Sequence, residues 1–480
     1  MWSNFLSRLS FFVSSFCLNS LFFKVEKRLF KPELTAILIE CGKTIIMQTK
    51  LTLKILLLFM LSIYPVFSGD PKNPIDQGVG VSSNPSPSDH IGTGYLGDRL
   101  LETFGKNSSE TGFSFESLWI LDGNILLSGG IAGTDKGIVN DLLQFELLYD
   151  TSKVSNWKGG LFAVELLQLN GAQTNGNAGL VQGFEGLIQS SPLSRTELYA
   201  WWYRQEFLEG NLITRIGKST PNSDFNSVNR LFPMNDNRIS PVASGLIYGT
   251  IFTQGSLSSF LPSYYNSAFG ASIFYFPTQN FYISAGGYDG NKARGEQTGL
   301  RGPEFNGYYF LISESGYSWA DAELPGRVAI GVWKQTGKFT LNTADGEISQ
   351  QGVNGLYMYG SQRLLWMDKK HANSGVVTFV QLGINNTKTL PINKFLGWGC
   401  TAYGLIPGRL KDSFGFGLSL AGLNKNTQPY NTEWMFQSYY QCCLYGSLYL
   451  EPVISYIPKP GAVKDLPQTW AVTVRLLAYF

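Results

Sequence analysis

The final stretch, TWAVTVRLLAYF, constrains the fold more than any other part of the chain. In an extended strand side chains alternate between two faces, so Trp470, Val472, Val474, Leu476, Ala478 and Phe480 share one face, and Thr473, Arg475 and Tyr479 the other. A half-buried strand of a soluble sandwich would alternate in the same way. Here the strand starts on one aromatic and ends on another, the pattern of interfacial girdles in a membrane strand. The apolar face then meets lipid, and Thr473 and Arg475 face a watery lumen. Ending on that last aromatic, Phe480, suits a strand read by the barrel-assembly machinery.

An export signal supports the membrane reading. From Met47 the chain runs MQTKLTLKILLLFMLSIYPVFSGD. Lys50 and Lys54 give a positive start, Ile55 to Tyr64 an apolar core, and Val66-Phe67-Ser68 a cleavage site before Gly69, the three-part pattern of a secretory signal. The core is shorter than the ~20 apolar residues of a spanning helix. Residues 1–46 then read as an over-extended gene start or a long n-region, with an N-terminal anchor as the rival account. Apart from the signal, no apolar helix-length run with clean flanks occurs. Only helices and closed barrels satisfy every backbone group in lipid, so a membrane protein of this kind must be a barrel.

The rest of the chain fits. Charged residues are 15%, well below the ~25% of soluble domains, while aromatics are 14%. Formal charge is +2, with the basic excess lying before Ser68. Nothing resembles the basic stripe that nucleic acid requires. Residues 69–92 are rich in Pro, Ser, Asn and Gly and read as a linker. Leu96, Leu100, Leu101 and Phe104 have helical spacing, so 69–110 is taken as a linker plus a short periplasmic helix. From Thr111 to Phe480 short alternating segments are separated by Gly, Asn, Asp and Pro. At roughly 20–25 residues per strand and turn, this gives an all-β antiparallel transmembrane barrel of about 16 strands, with 14 and 18 as neighbouring solutions. FYFPTQNFYIS reads as a hairpin turning at Pro277–Asn280, and LPGR (Leu324 to Arg327) and IPGR (Ile406 to Arg409) as turns leading into strands.

Catalytic and cofactor signals are weak. Gly92, Gly94 and Gly97 match a dinucleotide fingerprint but follow a Pro/Ser linker instead of a strand. The two histidines, His90 and His371, stand in polar stretches and support neither a metal site nor a triad, and the cysteines show no CxxC spacing. No cofactor or metal is expected. The informative set is the charges that interrupt apolar strands: Glu146, Glu165, Glu197, Arg204, Glu206, Arg215 and Arg363. Near midplane on a lipid face, Arg or Lys costs about 2–4 kcal/mol, so these should face the lumen. There they can set a local field or form structural ion pairs. Trp201, Trp202 and Tyr203 beside Arg204 offer rings and a charged fork, a combination suited to sugars; an interfacial girdle is the competing role.

Several segments, in order, are similar to the carbohydrate-selective porin (OprB-like) family of Gram-negative outer membranes. They are GYLGDRL, WYRQEFLEGNLITRIGKSTPNSDF, LPGRVAIGVWKQTGKF, NGLYMYGSQ, the IPGR-led pair and LYLEPVISYIPKPG. The resemblance implies a 16-stranded barrel, trimeric or monomeric, passing sugars by diffusion past a constriction of Arg, Glu and aromatic residues. It places Gly217, Lys218 and Asp224-Phe225 at the family's Gly-Lys and Asp-Phe positions. Two departures stand out: Arg99-Leu100-Leu101 where the family has Trp-Gly-Gly, and Arg204 where it often has an acid. A general porin or surface-structural barrel without sugar preference, and a barrel-embedded hydrolase, are the alternative readings.

Overall fold

The computed structural model describes residues 111–153, 156–187, 194–226, 261–262, 266–291, 300–319, 323–343, 346–367, 374–445 and 448–479. The expected signal, linker and short helix at 95–106, together with His90, His371 and Phe480, lie outside the described residues.

Sixteen antiparallel strands close on themselves. They are β1 (Phe113–Ser128), β2 (Gly137–Asp150), β3 (Gly160–Asn170), β4 (Ser194–Phe207), β5 (Leu212–Ser219), β6 (Ala268–Thr278), β7 (Phe281–Asp289) and β8 (Tyr309–Ser318), then β9 (Gly326–Thr343), β10 (Gly346–Leu365), β11 (Gly375–Asn385), β12 (Ile392–Tyr403), β13 (Ser413–Leu423), β14 (Thr432–Tyr445), β15 (Leu448–Ile457) and β16 (Thr469–Tyr479). Each pairs with its sequence neighbours, and β1 pairs with β16. The expected count of 16 is therefore observed. The expected hairpin is also present, with Gln279 and Asn280 joining β6 to β7. Arg327 of LPGR already lies inside β9, whereas IPGR forms the turn before β13.

Faces follow the period of two. In β16 Thr473 and Arg475 point inward, while Trp470 and Val474 are exposed on the outside. Ile216, Ile273, Ile283, Ile330 and Val332 continue the outward apolar band. Aromatic pairs line its two edges. Phe113–Tyr149 (4.6 Å between centroids) and Phe162–Tyr203 (4.5 Å) mark one edge, and Phe436–Tyr456 (6.3 Å) and Tyr456–Trp470 (4.4 Å) the other. Short turns such as 279–280 and 208–211 sit at the first edge, and longer connections such as 424–431 and 458–468 at the second. Barrels of this class put short turns in the periplasm and long loops outside.

β9 and β10 are far longer than a spanning strand requires. Their paired tips carry Lys338 and Glu347, 3.7 Å apart and half-exposed, so the hairpin rises beyond the apolar band into water.

On the inner wall, glycines seat aromatic rings. Gly331 lies between Glu314 on β8 and Tyr357 on β10. Tyr357 crosses it and donates to Glu314 Oε2 at 2.7 Å; a Cβ at Gly331 would come within 2.1 Å of the ring. Tyr439 crosses Gly415 to Thr401 Oγ1 (3.3 Å) in the same manner. The absent side chain makes room that only glycine can provide.

Two stability outcomes follow. Val474→Arg, outward in β16, should cost about 2–4 kcal/mol in vesicle-based urea unfolding. Gly331→Leu should cost about 1–3 kcal/mol by overpacking against Tyr357. An unchanged midpoint in either variant would contradict the face assignment that motivated it.

Candidate functional site

The inner face of β2–β5 carries most of the charges named from the sequence. Glu146 and Glu165 sit directly opposite each other across β2 and β3. Two adjacent carboxylates repel, and Gln144 relieves this by donating its Nε2 to Glu165 Oε1 (2.5 Å). Arg204 and Arg215 are likewise cross-strand partners of β4 and β5. Their like charges are compensated separately. Arg204 pairs with Glu206 two residues along the same face. Arg215 pairs with Asp224.

Asp224 closes α1 (Pro221–Asp224), a single turn that starts on a proline and carries the chain from β5 back against the wall. Its fully buried carboxylate also accepts Ser272 Oγ (2.7 Å) and Tyr288 OH (3.3 Å). The Arg215 guanidinium donates to Ser223 Oγ (3.1 Å) and lies 4.1 Å from the Trp202 ring centroid. Two residues on, the Asn226 backbone N–H donates to Glu314 Oε2 (2.7 Å). Glu314 is itself held by Tyr282 OH (2.5 Å), Tyr359 OH (2.9 Å) and Tyr357 OH. Arg327 stands 3.5 Å from its Oε1. Between these anchors Phe225 is buried, occupying the space that glycine leaves at Gly286. Segment 221–226 is thus fixed to the wall at both ends.

A second segment crosses the lumen. Between β3 and β4 stands the short helix Thr174–Ala178, and residues 179–187 follow it as a strap. The strap reaches the inner wall of β13–β15. The Glu433 carboxylate accepts the backbone N–H groups of Val181 (3.1 Å), Gln182 (2.8 Å) and Gly461 (2.6 Å). Gln182 Nε2 donates to Glu433 O (2.8 Å), and its Oε1 accepts from Ser419 Oγ (2.7 Å). Glu185 lies 3.9 Å from Arg475, which grips Asp122 through two donors (2.8 and 2.6 Å). Burial, reinforced by the Asp122 charge, pushes the Glu185 carboxyl well above the usual carboxylate range.

The remaining candidates are scattered. Glu197 pairs with Arg195 at 3.3 Å. Lys218 is buried, its Nζ donating to Leu198 O (3.3 Å). Arg363 points inward on β10, six strands from β4, and caps the strand end by donating to Ser374 O (2.6 Å) and lying over Trp366 (3.7 Å).

The aromatic trio must be corrected. Consecutive strand residues face opposite sides, so only Trp202 points inward. Trp201 is exposed on the outer face, 5.3 Å from Phe269. Tyr203 stacks with Phe162 in the outer girdle. The sequence reading also missed Glu314, Arg327, Tyr282, Tyr357, Tyr359 and Glu433. The spacing of Tyr357 and Tyr359, two apart in an alternating strand with glycines on either side, was a usable signal for the tyrosine pair.

Comparison with known proteins agrees with this architecture. The profile described as "Carbohydrate-selective porin, OprB family" matches residues 135–480. Porin B of Pseudomonas aeruginosa is 22% identical over 419 residues, covering 77% of this chain and 88% of that protein. The high-pH structure of Pseudomonas putida OprB superposes with a TM-score of 0.66 at 17% identity, covering 78% of this chain and 95% of that one. The low-pH structure of the same protein gives 0.50 at 16%, covering 82% and 99%.

Replacing Glu433 by alanine should leave three buried N–H groups unpaired, each costing about 1–3 kcal/mol. The strap should loosen, raising single-channel conductance and current noise in planar bilayers. Conductance identical to wild type would show that Glu433 does not position the strap.

Proposed function

The chain belongs to the OprB family of carbohydrate-selective porins, and on that footing we propose that sugars and other small solutes diffuse passively through its lumen along the β2–β5 wall. The family implies a channel of the Gram-negative outer membrane, not an enzyme. The observation that carries the route is the inward Trp202 ring, with Arg215 stacked on it and Glu165 on the neighbouring strand. An indole face suits the apolar C–H face of a sugar ring. Guanidinium and carboxylate groups beside it exchange hydrogen bonds with the hydroxyls. Segment 221–226 and the strap narrow the passage beside that wall. Transit needs contacts weak enough to release the solute, and several shared polar groups serve this better than one tight pocket.

In this reading Glu146, Glu165, Arg204, Glu206, Arg215 and Asp224 set the local field. Pairing of Arg204 with Glu206 keeps the pore from becoming strongly anion-selective. Glu197 and Lys218 extend the polar track, and Arg363 acts nearer the periplasmic mouth. The chain is exported by the signal at 47–68, delivered through its last strand to the barrel-assembly machinery, and assembles as a monomer or homotrimer. A general porin of the same fold would lack the sugar contacts.

Planar-bilayer conductance of residues 69–480, titrated with glucose and maltose oligomers, separates the two. Saturable block by sugars is expected. Trp202→Ala should weaken it about tenfold, equivalent to ~1.4 kcal/mol, while Trp201→Ala leaves it unchanged. Open channels that sugars never block would favour the general porin. Equal effects of the two tryptophan variants would remove Trp202 from the route.

A further inference from the structure

A recess of about 610 Å³ opens on the outer surface of β8–β11, away from the lumen. Its floor is apolar: Leu311, Val332, Leu356 and Ile384 all point outward and are 39–51% exposed. Lys334 closes its upper edge. Beside it Asn386 Nδ2 donates to Asn354 Oδ1 at 2.6 Å.

The level of the recess can be read from the strands. β8 begins at Tyr309, β11 ends at Asn385, β12 begins at Ile392 and β13 ends at Leu423, all at the long-connection end. Lys334 pairs in register with Leu311, and Ile384 with Lys394. The recess therefore lies where the wall leaves the apolar band, and among the described strands only those of the β9–β10 hairpin continue above it.

Charge on the β11–β13 rim of this sector is one-sided. Lys334 and Lys394 are exposed on the strands, and Lys388 and Lys425 on the connections 386–391 and 424–431. Neither connection contains Asp or Glu. Among the described residues, none of the four lysines is ion-paired. On the β9–β10 tip, Glu347 is taken by Lys338, and Asp345 lies outside the described residues. A single lysine at a membrane edge ordinarily extends into water on its own stem. Four without a counter-charge, above an apolar recess, form a complementary surface for an anionic headgroup with a chain beneath it. A second copy of the same face would set lysine against lysine.

We propose that this recess binds a phosphorylated lipid of the outer leaflet, lipid A, with an acyl chain on the Leu311–Ile384 floor and phosphate on Lys334 and Lys394. The assignment rests on the outer-membrane reading above. The test is native mass spectrometry of the full chain in detergent, titrated with lipid A and with its dephosphorylated form. Wild type and the control Lys464→Gln, in the connection before β16, should bind lipid A equally. The double variant K334Q/K394Q should bind it roughly tenfold more weakly or worse, as loss of two charges near a phosphate implies. Dephosphorylated lipid should bind wild type no better than lipid A binds the double variant. Heat-modifiable mobility in gels checks that each variant is folded. Equal lipid A binding by a folded double variant, or no discrimination between the two lipids, overturns the proposal. A changed oligomeric mass with unchanged lipid binding also overturns it, and would make the recess a contact between copies. Lipid A binding by a barrel that conducts nothing would sink the porin reading and leave the lipid site standing.

Discussion

Everything else in this molecule depends on the pairing of β1 with β16. In hydrocarbon an unpaired strand edge strands a row of N–H and C=O groups, each costing several kcal/mol, so the sheet must close. The seam runs from Leu118 opposite Tyr479 to Ser128 opposite Trp470. Its inner face is reinforced by side chains: Arg475 holds Asp122 through two hydrogen bonds, and Thr473 donates to Asn124 at 2.6 Å. The same Arg475 faces Glu185 of the strap, so the closure and the filling of the lumen meet at one guanidinium. A buried charge pair of this kind adds little net stability over apolar packing, but losing one partner is severe. Its contribution is to register, because strands slipped by one residue would point these charges at lipid.

The lumen is divided between two kinds of surface. Along β6–β14 large inward side chains such as Phe274, Tyr288, Phe310, Trp333 and Tyr359 pack together, and Leu180, Phe184 and Phe225 of the infolded segments join them. That side is a core. Along β2–β5 the inward face mixes buried apolar residues such as Leu142, Leu161, Leu167 and Ile213 with the charged set Glu146, Glu165, Arg204, Glu206 and Arg215, and the proposed solute route follows those charges. The infolded segments thus pack mainly against the aromatic side, while the charges concentrate on β2–β5.

Much of this was legible in the sequence, and the remainder failed for identifiable reasons. Alternation and turn residues gave the barrel, the strand number and the inward side for Arg475, because lipid imposes a period-two rule on every strand. The cost of a charge in lipid gave the inward side for Glu165, Arg204 and Arg215. Trp201 to Tyr203 form one group by composition, with sugar contact and girdle both open to them, whereas the same alternation separates Trp202 from its neighbours. Segments 179–187 and 221–226 were not legible in any local pattern. Their anchors, Glu433 and Glu314, lie some 250 and 88 residues away along the chain. The glycine seats were hidden as well, since a glycine between Glu314 and Tyr357 acquires meaning only once β8, β9 and β10 are in register.

The strap also sets a clock. Its carboxylate anchor on β14 lies ten strands along the sheet from β4, so a sheet lacking β14 gives the strap nothing to hold. Contacts this distant in sequence form late. The strap is therefore held only where β14 and the β3–β4 connection belong to one closed ring. The width of the passage is consequently a property of the finished ring, set by a contact that no run of neighbouring strands contains.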